Sequence, residues 1–523
     1  MKYPTYNHKE LEAEMLDFWN KQKILDKLRK KNESGKKYYY LDGPPYTSGK
    51  VHMGTAWNKS LKDVSLRYKR SQGLNVWDRG GFDVHGLPTA HKVMAKHDLK
   101  TKEDIEKFGL GKFIKECTAF CLEMADQMVI DFQRMGVSLD YSDPYMALKN
   151  DYMEGQWWMI KKAWEKDRLY LGDKSMTWCG NCETALAKHE CEYKLLEEDS
   201  VFLKFQIKDK PNEFLIIWTT TPWTIPYNLA IMVNPNLDYV KAKVEFEDHE
   251  EVWVVGKSLV GPLVQSVVGK ALTVLEEFKG ETLLGTEYVH PWENDIPQIK
   301  ELKKAHPNVH TVLLSEKHVD FTAGSGLVHC APGCGPEDQE VGKEYKIPAF
   351  NNLTEKGEFP KEIGERFAGR IAKKDDKLFI DDMEKDGFLI ATTKVEHDYP
   401  TCWRCHDPVI FKTTKQWFFK IEDLREEMIQ ENAKVNWQPR TQAFDSWTAN
   451  LKDNSITRQR FWGTPVPLWK CTQEDCEEIE VIGSVKELEE KVGKDNVPEN
   501  LHRPWIDDVK WKCKCGKGTM KRI

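Results

Sequence analysis

His52 stands where phosphate chemistry could occur. It follows the loop Leu41-Asp42-Gly43-Pro44-Pro45-Tyr46-Thr47-Ser48-Gly49-Lys50-Val51 and opens the run Met53-Gly54-Thr55. The β-prone run Tyr38-Tyr39-Tyr40 precedes the loop. A helix-like stretch follows, with Trp57, Leu61, Val64 and Tyr68 as its apolar stripe and Gly73 as its C-cap. A turn rich in Gly and Pro thus joins a strand to a helix N-terminus, where unpaired N–H groups and a partial positive charge suit a nucleotide phosphate. Gly49 and Gly54 let backbone approach a ligand. His52 can donate a hydrogen bond to phosphate oxygens as negative charge builds there.

A second group of residues could handle an ester. Trp218-Thr219-Thr220-Thr221-Pro222 ends a strand-like run in three threonines, and Asn228 follows. Such threonines present hydroxyls and backbone groups on a small surface, able to orient a water and hold the 3′ end of an RNA. Threonine is also a good strand former, so the threonines alone fit a purely structural role equally well. Gly324-Ser325-Gly326-Leu327-Val328-His329 lies further on, then Gly335-Pro336-Glu337-Asp338. Asp338 could hold an ammonium group through a charge-assisted hydrogen bond.

The cysteines suggest metal. Thirteen thiols, an odd number with no secretion signal ahead of them, read as thiols and metal ligands rather than disulfides. Cys179-Gly180-Asn181-Cys182 and Cys402-Trp403-Arg404-Cys405 are both C-x-x-C and flank residues 198–395 on its two sides. An inserted domain has its ends close together, which would bring four thiolates to one tetrahedral Zn²⁺. A closed shell of four sulfurs leaves no place for water, so the ion is read as structural. Cys471, Cys476, Cys513 and Cys515 form a looser second set, C-x₄-C then C-x-C. Cys117 and Cys121, four apart on a helix, read as small hydrophobes. Cys191, Cys330 and Cys334 have no evident partner and read as non-ligands.

The elements that must position these groups follow from composition and periodicity. A chain of 523 residues, 40% hydrophobic and 31% charged, is expected to form two to four domains. Net charge is −7 and the pI about 6.2, which neither supports nor excludes a nucleic-acid partner. No apolar run is long enough for a membrane span, and Met1-Lys2-Tyr3-Pro4-Thr5 begins no signal peptide. Residues 6 to about 30 predict an amphipathic helix with Leu11, Met15, Phe18 and Trp19 on one side. Residues 101–170 read as mainly helical, with Trp157, Trp158, Ile160 and Trp164 in its core. Strand-like runs then appear at 200–207, 214–218, 239–244, 251–255 and 271–275. Strand and helix alternate again from about 400, and 486–494 reads as a solvated helix face.

The loop at His52 resembles the His-x-Gly-His signature of class I aminoacyl-tRNA synthetases. Gly80-Gly81-Phe82-Asp83-Val84-His85-Gly86-Leu87-Pro88 is similar to the Gly-aromatic-Asp-x-His-Gly-Leu-Pro block of the isoleucyl members. The blocks lie about thirty residues apart, which fits one β-α-β unit. Thr55 stands where most of that family has a second His, so that contact can only come from a hydroxyl. Thr89-Ala90-His91 also departs from the family, and no role carries over there. Trp178–Leu186, Gln416–Phe419 and Thr457–Pro467 are further similar blocks, the last two without a chemical role that sequence alone assigns. Residues 219–228 and 324–338 resemble the editing domain of isoleucyl, valyl and leucyl synthetases.

That resemblance implies an α/β fold: a Rossmann-like catalytic domain, incomplete, interrupted by a β-rich editing domain and zinc-binding connective segments. The expected domains are 1–197, 198–395 and 396–523. It implies attack of the isoleucine carboxylate on the α-phosphate of ATP, with Mg²⁺, and transfer to tRNA(Ile). His52, Gly54 and Thr55 would act at the phosphates, Asp83 would pair with the substrate amine, and Gly43, Pro44 and Pro45 would shape the amino-acid side. Thr219, Thr220, Thr221 and Asn228 would line the editing pocket, with His329 beside it and Asp338 on the amine. Editing has a clear need, because one missing methylene is worth only about 1–3 kcal/mol of discrimination. The chain shows no Lys-Met-Ser-Lys-Ser-like loop and no anticodon-binding domain. An N-terminal fragment is therefore expected, with ATP–pyrophosphate exchange absent or very weak. A cytoplasmic monomer is also expected. Three competing readings are a valine or leucine enzyme, against which Asp83–Pro88 argues because both families depart from His-Gly-Leu-Pro, a deacylase acting in trans, and a non-catalytic tRNA-binding module, which would bind in a salt-sensitive way.

Overall fold

The computed structural model describes residues 7–437 and 442–523. Met1–Thr5, read above as free of a signal peptide, lie outside the described residues. The chain forms two compact units, one of residues 1–169 with 460–523 and one of residues 170–459. Among the described residues no helix is long and apolar enough to cross a membrane.

The first unit is built on the expected β-α-β unit. Strand Lys37–Tyr39 pairs in parallel with Asn75–Trp77, and the helix Met53–Ser71 connects them. Gly73 closes that helix at positive φ, with its N–H on the Arg70 carbonyl. Strand Arg79–Phe82 pairs in parallel with Asp140–Met146. Helix Leu110–Arg134 supplies the core with Phe113, Ile114, Cys117, Cys121, Ala125, Met128 and Phe132. The same unit holds a four-stranded antiparallel sheet in the order Ile479–Val481, Leu468–Cys471, Thr519–Arg522, Lys510–Lys512. Its core packs Trp469, Leu488, Leu501, Ile506 and Met520 on Met153 and Trp157 of the helix Asn150–Glu165.

Three expectations change in this unit. The stripe Trp57, Leu61, Val64 and Tyr68 is 59–69% exposed, and the buried face of that helix is Lys59, Asp63, Leu66 and Arg70. The charges go inside because each finds a partner there. Lys59 pairs with the buried Asp42, Asp63 accepts from the Ser138 N–H at 2.7 Å, and Arg70 pairs with Asp78. The amphipathic N-terminal helix is two helices, His8–Gln22 and Ile24–Lys31, broken where Lys23 adopts a left-handed conformation. Leu16 and Trp19 lie against Gly136, while Met15 and Phe18 face outward. Trp157 is core, but Trp158 is more than half exposed.

The second unit centres on a nine-stranded mixed sheet. All five expected strands are present, as Cys191–Gln206, Glu213–Thr219, Asp238–Glu245, Glu250–Gly256 and Ala271–Lys279. Its longest pairing is an antiparallel ribbon in which Cys191 faces Cys402 and Leu203 faces Leu389. The ribbon brings together two stretches of chain about two hundred residues apart.

Candidate active sites and thiol clusters

The loop before His52 is fixed from below. Asp42 is buried and holds Lys59 and Lys62, the latter at 2.8 Å, and Lys62 also donates to the Gly43 carbonyl at 2.9 Å. The Tyr145 hydroxyl donates to the Asp42 carbonyl. A Cβ on Gly81 would enter the Tyr145 ring, which explains the glycine there. Next to the pinned segment runs Asp83. Its N–H donates to the Pro45 carbonyl at 2.9 Å, and its carbonyl accepts from the Thr47 N–H at 3.0 Å. Asp83 is therefore bound, backbone to backbone, to the loop at Pro45 and Thr47. The Asp83 carboxyl is half-buried; burial pushes its pKa up, and a hydrogen bond from Tyr46 pulls it back.

His52 is the N-cap of the helix Met53–Ser71. Its Nδ1 accepts from the Gly54 and Thr55 N–H groups at 3.1 and 3.4 Å. The other nitrogen therefore carries the proton, and Nε2 lies 3.2 Å from the Thr55 hydroxyl, which accepts from it. His52 and Gly54 are exposed and Thr55 is half-buried. Thr55 is thus a direct partner of His52, a relation that residue types alone did not reveal.

Two buttresses of this site had no role in the sequence reading. Trp462 donates from Nε1 to the Val84 carbonyl at 2.6 Å, and its own carbonyl accepts from the Gly86 N–H at 3.2 Å. His85, between them, points Nε2 at Nε2 of His502, 2.9 Å away. The only advance signal was the Arg-Gln-Arg-aromatic-Trp-Gly block around Trp462.

In the second unit Thr219, Thr221, Thr224 and His329 form one largely buried network. The Thr219 hydroxyl accepts from the Thr221 N–H at 3.1 Å and lies 3.1 Å from the Thr221 hydroxyl. Thr224, not foreseen, donates to the Thr221 carbonyl at 2.7 Å and accepts from His329 Nε2 at 2.9 Å. Asn228 lies behind the imidazole, donating to Nδ1 at 3.4 Å and to the Ala230 carbonyl at 2.9 Å. Its Oδ1 accepts from the Tyr288 hydroxyl at 2.5 Å. Burial pushes the His329 pKa down to about 4, so the ring is neutral at pH 7. Thr220 is half-buried at the strand end. Asp338 keeps part of its surface open, and its carboxylate accepts from the Ala331 N–H at 2.8 Å. The atoms packed round that carboxyl push its pKa up to about 7.

The two sets of four thiols each converge. Sulfurs of Cys179, Cys182, Cys402 and Cys405 all lie within 4.8 Å of one another, as do those of Cys471, Cys476, Cys513 and Cys515. Tetrahedral Zn–S bonds place sulfurs about 3.8 Å apart. Cys179 and Cys405 are 3.4 Å apart, Cys471 and Cys515 3.8 Å, and Cys476 and Cys513 3.9 Å. Both sets could hold a metal ion. Gly518 is required beside the second set, since a Cβ there would collide with the Cys471 sulfur. Cys117, Cys121, Cys191, Cys330 and Cys334 belong to neither set.

Comparison with known proteins extends these observations. The chain is 41% identical to an isoleucine–tRNA ligase of Pyrococcus horikoshii over 97% of its own length and 49% of the relative's. It is also 41% identical to one from Methanocaldococcus jannaschii, over 100% of this chain and 51% of the relative. The chain spans about half the length of these curated relatives. A solved LeuRS–tRNA–LeuAMS complex from Agrobacterium radiobacter aligns over 99% of this chain and 57% of its own, at 15% identity and a TM-score of 0.39. The family profile of class I tRNA synthetases (I, L, M and V) matches residues 14–523, and the chain belongs to that family.

Proposed function

We propose that this chain carries the amino-acid and nucleotide face of an isoleucine-activating site, together with a site that hydrolyses Val-tRNA(Ile). The observation that carries the first reading is the double backbone bond between Asp83 and the Pro45–Thr47 loop. It supports a reading in which the Asp83 carboxylate meets an α-ammonium and the small residues Gly43, Pro44 and Pro45 bound an aliphatic side chain. The name of the relatives, isoleucine–tRNA ligase, supports the choice of amino acid.

In this reading the isoleucine carboxylate attacks the α-phosphorus of ATP, and pyrophosphate leaves. The aminoacyl group then passes to the 3′-terminal adenosine of tRNA(Ile). Asp83 holds the amine, and Gly43, Pro44 and Pro45 bound the side chain. His52 Nε2–H turns from Thr55 to a phosphate oxygen, and the backbone at Gly54 keeps the helix start facing that charge. Positioning and charge stabilisation supply most of the rate, as the phosphate chemistry needs no covalent help. Mg²⁺ accompanies ATP and neutralises its phosphates.

In the editing site, residues 198–395, Asp338 holds the amine of the misattached valine. The hydroxyls of Thr219, Thr220 and Thr221 hold the ester end and a water. His329 is neutral, so it orients rather than carries charge. Zn²⁺ suits both thiol sets, whose spacing matches a closed tetrahedral shell. We further read residues 1–197 and 396–523 as the flanking catalytic and zinc-binding segments of a cytoplasmic monomer.

The test uses the 523-residue chain. Purified protein is expected to deacylate Val-tRNA(Ile) much faster than Ile-tRNA(Ile), and to bind a non-hydrolysable isoleucyl-adenylate analogue in an Asp83-dependent way. Equal rates on both tRNAs would overturn the editing reading. Deacylation without analogue binding would favour a deacylase acting in trans, a reading helped by the containment of the whole His329 network in the second unit.

A further inference from the structure

The ring of His502 is 2% exposed and fully used. Its Nδ1 lies 2.8 Å from Oδ1 of Asn500, which can only accept, so Nδ1 carries the proton and Nε2 is a lone pair. His85 must then donate from its own Nε2 across the 2.9 Å contact, leaving its Nδ1 to accept from the Thr464 hydroxyl at 3.4 Å. The Trp462 ring lies stacked on His502, with centroids 5.0 Å apart and planes at 7°, and meets His85 edge-on at 4.8 Å. Burial pushes His85 down to about 3 and His502 to about 4, so both rings stay neutral. Beyond His502 the connection continues: Arg503 donates to Asp507 at 2.6 Å, and Asp507 also takes Arg522. Arg522 belongs to the strand that pairs with Leu468–Cys471 and Lys510–Lys512. Cys471 ends the first of these strands and Cys513 directly follows the second.

We propose that His502 is a positioning residue: through its bond to His85 it holds the Asp83–Gly86 loop, and so ties the amino-acid site to the folded state of the thiol set Cys471, Cys476, Cys513 and Cys515. The link is directional because a lone pair meets a single N–H, and it is shielded on the His502 side, where the ring is buried. The Asp83–Gly86 loop is then held from two sides. Trp462 fixes the backbone at Val84 and Gly86, and His502 fixes the side chain between them. Loss of the metal in the thiol set would loosen the sheet, then Asp507, then His502, and last the loop. The inference rests on the isoleucine-activating reading only for what the loop binds.

The experiment pairs His502→Phe, which keeps the stack on Trp462 but removes the acceptor, with His502→Gln, whose side-chain carbonyl restores one. Hydrogen exchange at the Val84–Gly86 amides and affinity for the isoleucyl-adenylate analogue are measured with zinc bound and in Cys515→Ser. We expect His502→Phe to speed loop exchange and weaken the analogue about tenfold, the scale of one bond to a buried group, and His502→Gln to recover most of both. We expect Cys515→Ser to loosen the loop in the His502 protein and to add little in His502→Phe. Unchanged exchange in His502→Phe, or equal effects of Cys515→Ser in both backgrounds, would overturn the proposal. Failure of the His502 protein to bind the analogue would count against the activating reading alone, because exchange still reports on the link.

Discussion

Asp338 offers the clearest test at the scale of one residue. An amine is held by a carboxylate, not by a carboxylic acid, and burial moves this group's pKa up to about 7. Its charged form is therefore lost as pH falls through about 7, and deacylation of Val-tRNA(Ile) should fall with it. The stability sign is opposite. The unfolded carboxyl ionises near 4, so the folded protein bears a growing penalty as pH rises from about 4 to 7. Asp338→Asn should abolish most deacylation at every pH, yet raise thermal stability at pH 8 and leave it nearly unchanged at pH 4. Pre-steady-state deacylation and melting curves at the two pH values check both arms. His52 gives a second test. Its imidazole caps a helix, and His52→Ala should cost about 1 kcal/mol in urea unfolding. Thr55→Val keeps the cap at Nδ1 but frees the Nε2 proton from its acceptor, so the same measurement should change by less than about 0.5 kcal/mol. Types and spacing singled out His52, the threonines and the eight thiols, and the family resemblance added Asp83. They gave no sign of Thr224, Tyr288 or His502, because each acts through a partner far away in the sequence.

At the scale of elements, the helix Met53–Ser71 shows what periodicity leaves open. Trp57, Leu61, Val64 and Tyr68 mark a helix and its apolar side, and the helix is there. Which side the rest of the fold covers is a separate matter, decided by partners. Asp42, Asp78 and Ser138 supply partners for Lys59, Arg70 and Asp63, so the polar side is buried. Leu61→Glu should therefore change unfolding free energy by no more than about 0.5 kcal/mol, the range of ordinary surface changes. Leu66→Ala on the buried side should cost roughly 2–5 kcal/mol. A large loss for Leu61→Glu would mean that the stripe is covered. The strands of the second unit were readable because each contains a run of β-branched or aromatic residues bounded by turns, although the first reaches back to Cys191, well before its expected start. The break at Lys23 was not, since a left-handed lysine leaves no mark in composition.

For the whole molecule, the thiol sets divide the work between the two compact units. Cys179, Cys182, Cys402 and Cys405 lie in the unit of residues 170–459, where the ribbon pairing Cys191 with Cys402 brings the two C-x-x-C motifs to one end. The other four cysteines lie in the unit of residues 460–523 with 1–169. The ribbon's first strand continues into the sheet, where it pairs with the strand that ends at Thr219. A metal held at the ribbon's cysteine end would oppose fraying from the free side, as a cross-link closing a long loop does. Purified chain should carry two zinc ions by elemental analysis. Cys405→Ser should lower that to about one, soften the ribbon end in hydrogen exchange, and reduce deacylation of Val-tRNA(Ile). Cys515→Ser should also remove about one zinc, yet leave deacylation within about twofold, because the His329 network draws every member from residues 170–459. Equal loss of deacylation in both variants would show that the units depend on each other for editing. A chain carrying no zinc, yet deacylating normally, would show that hydrogen-bonded thiols alone hold the ribbon closed.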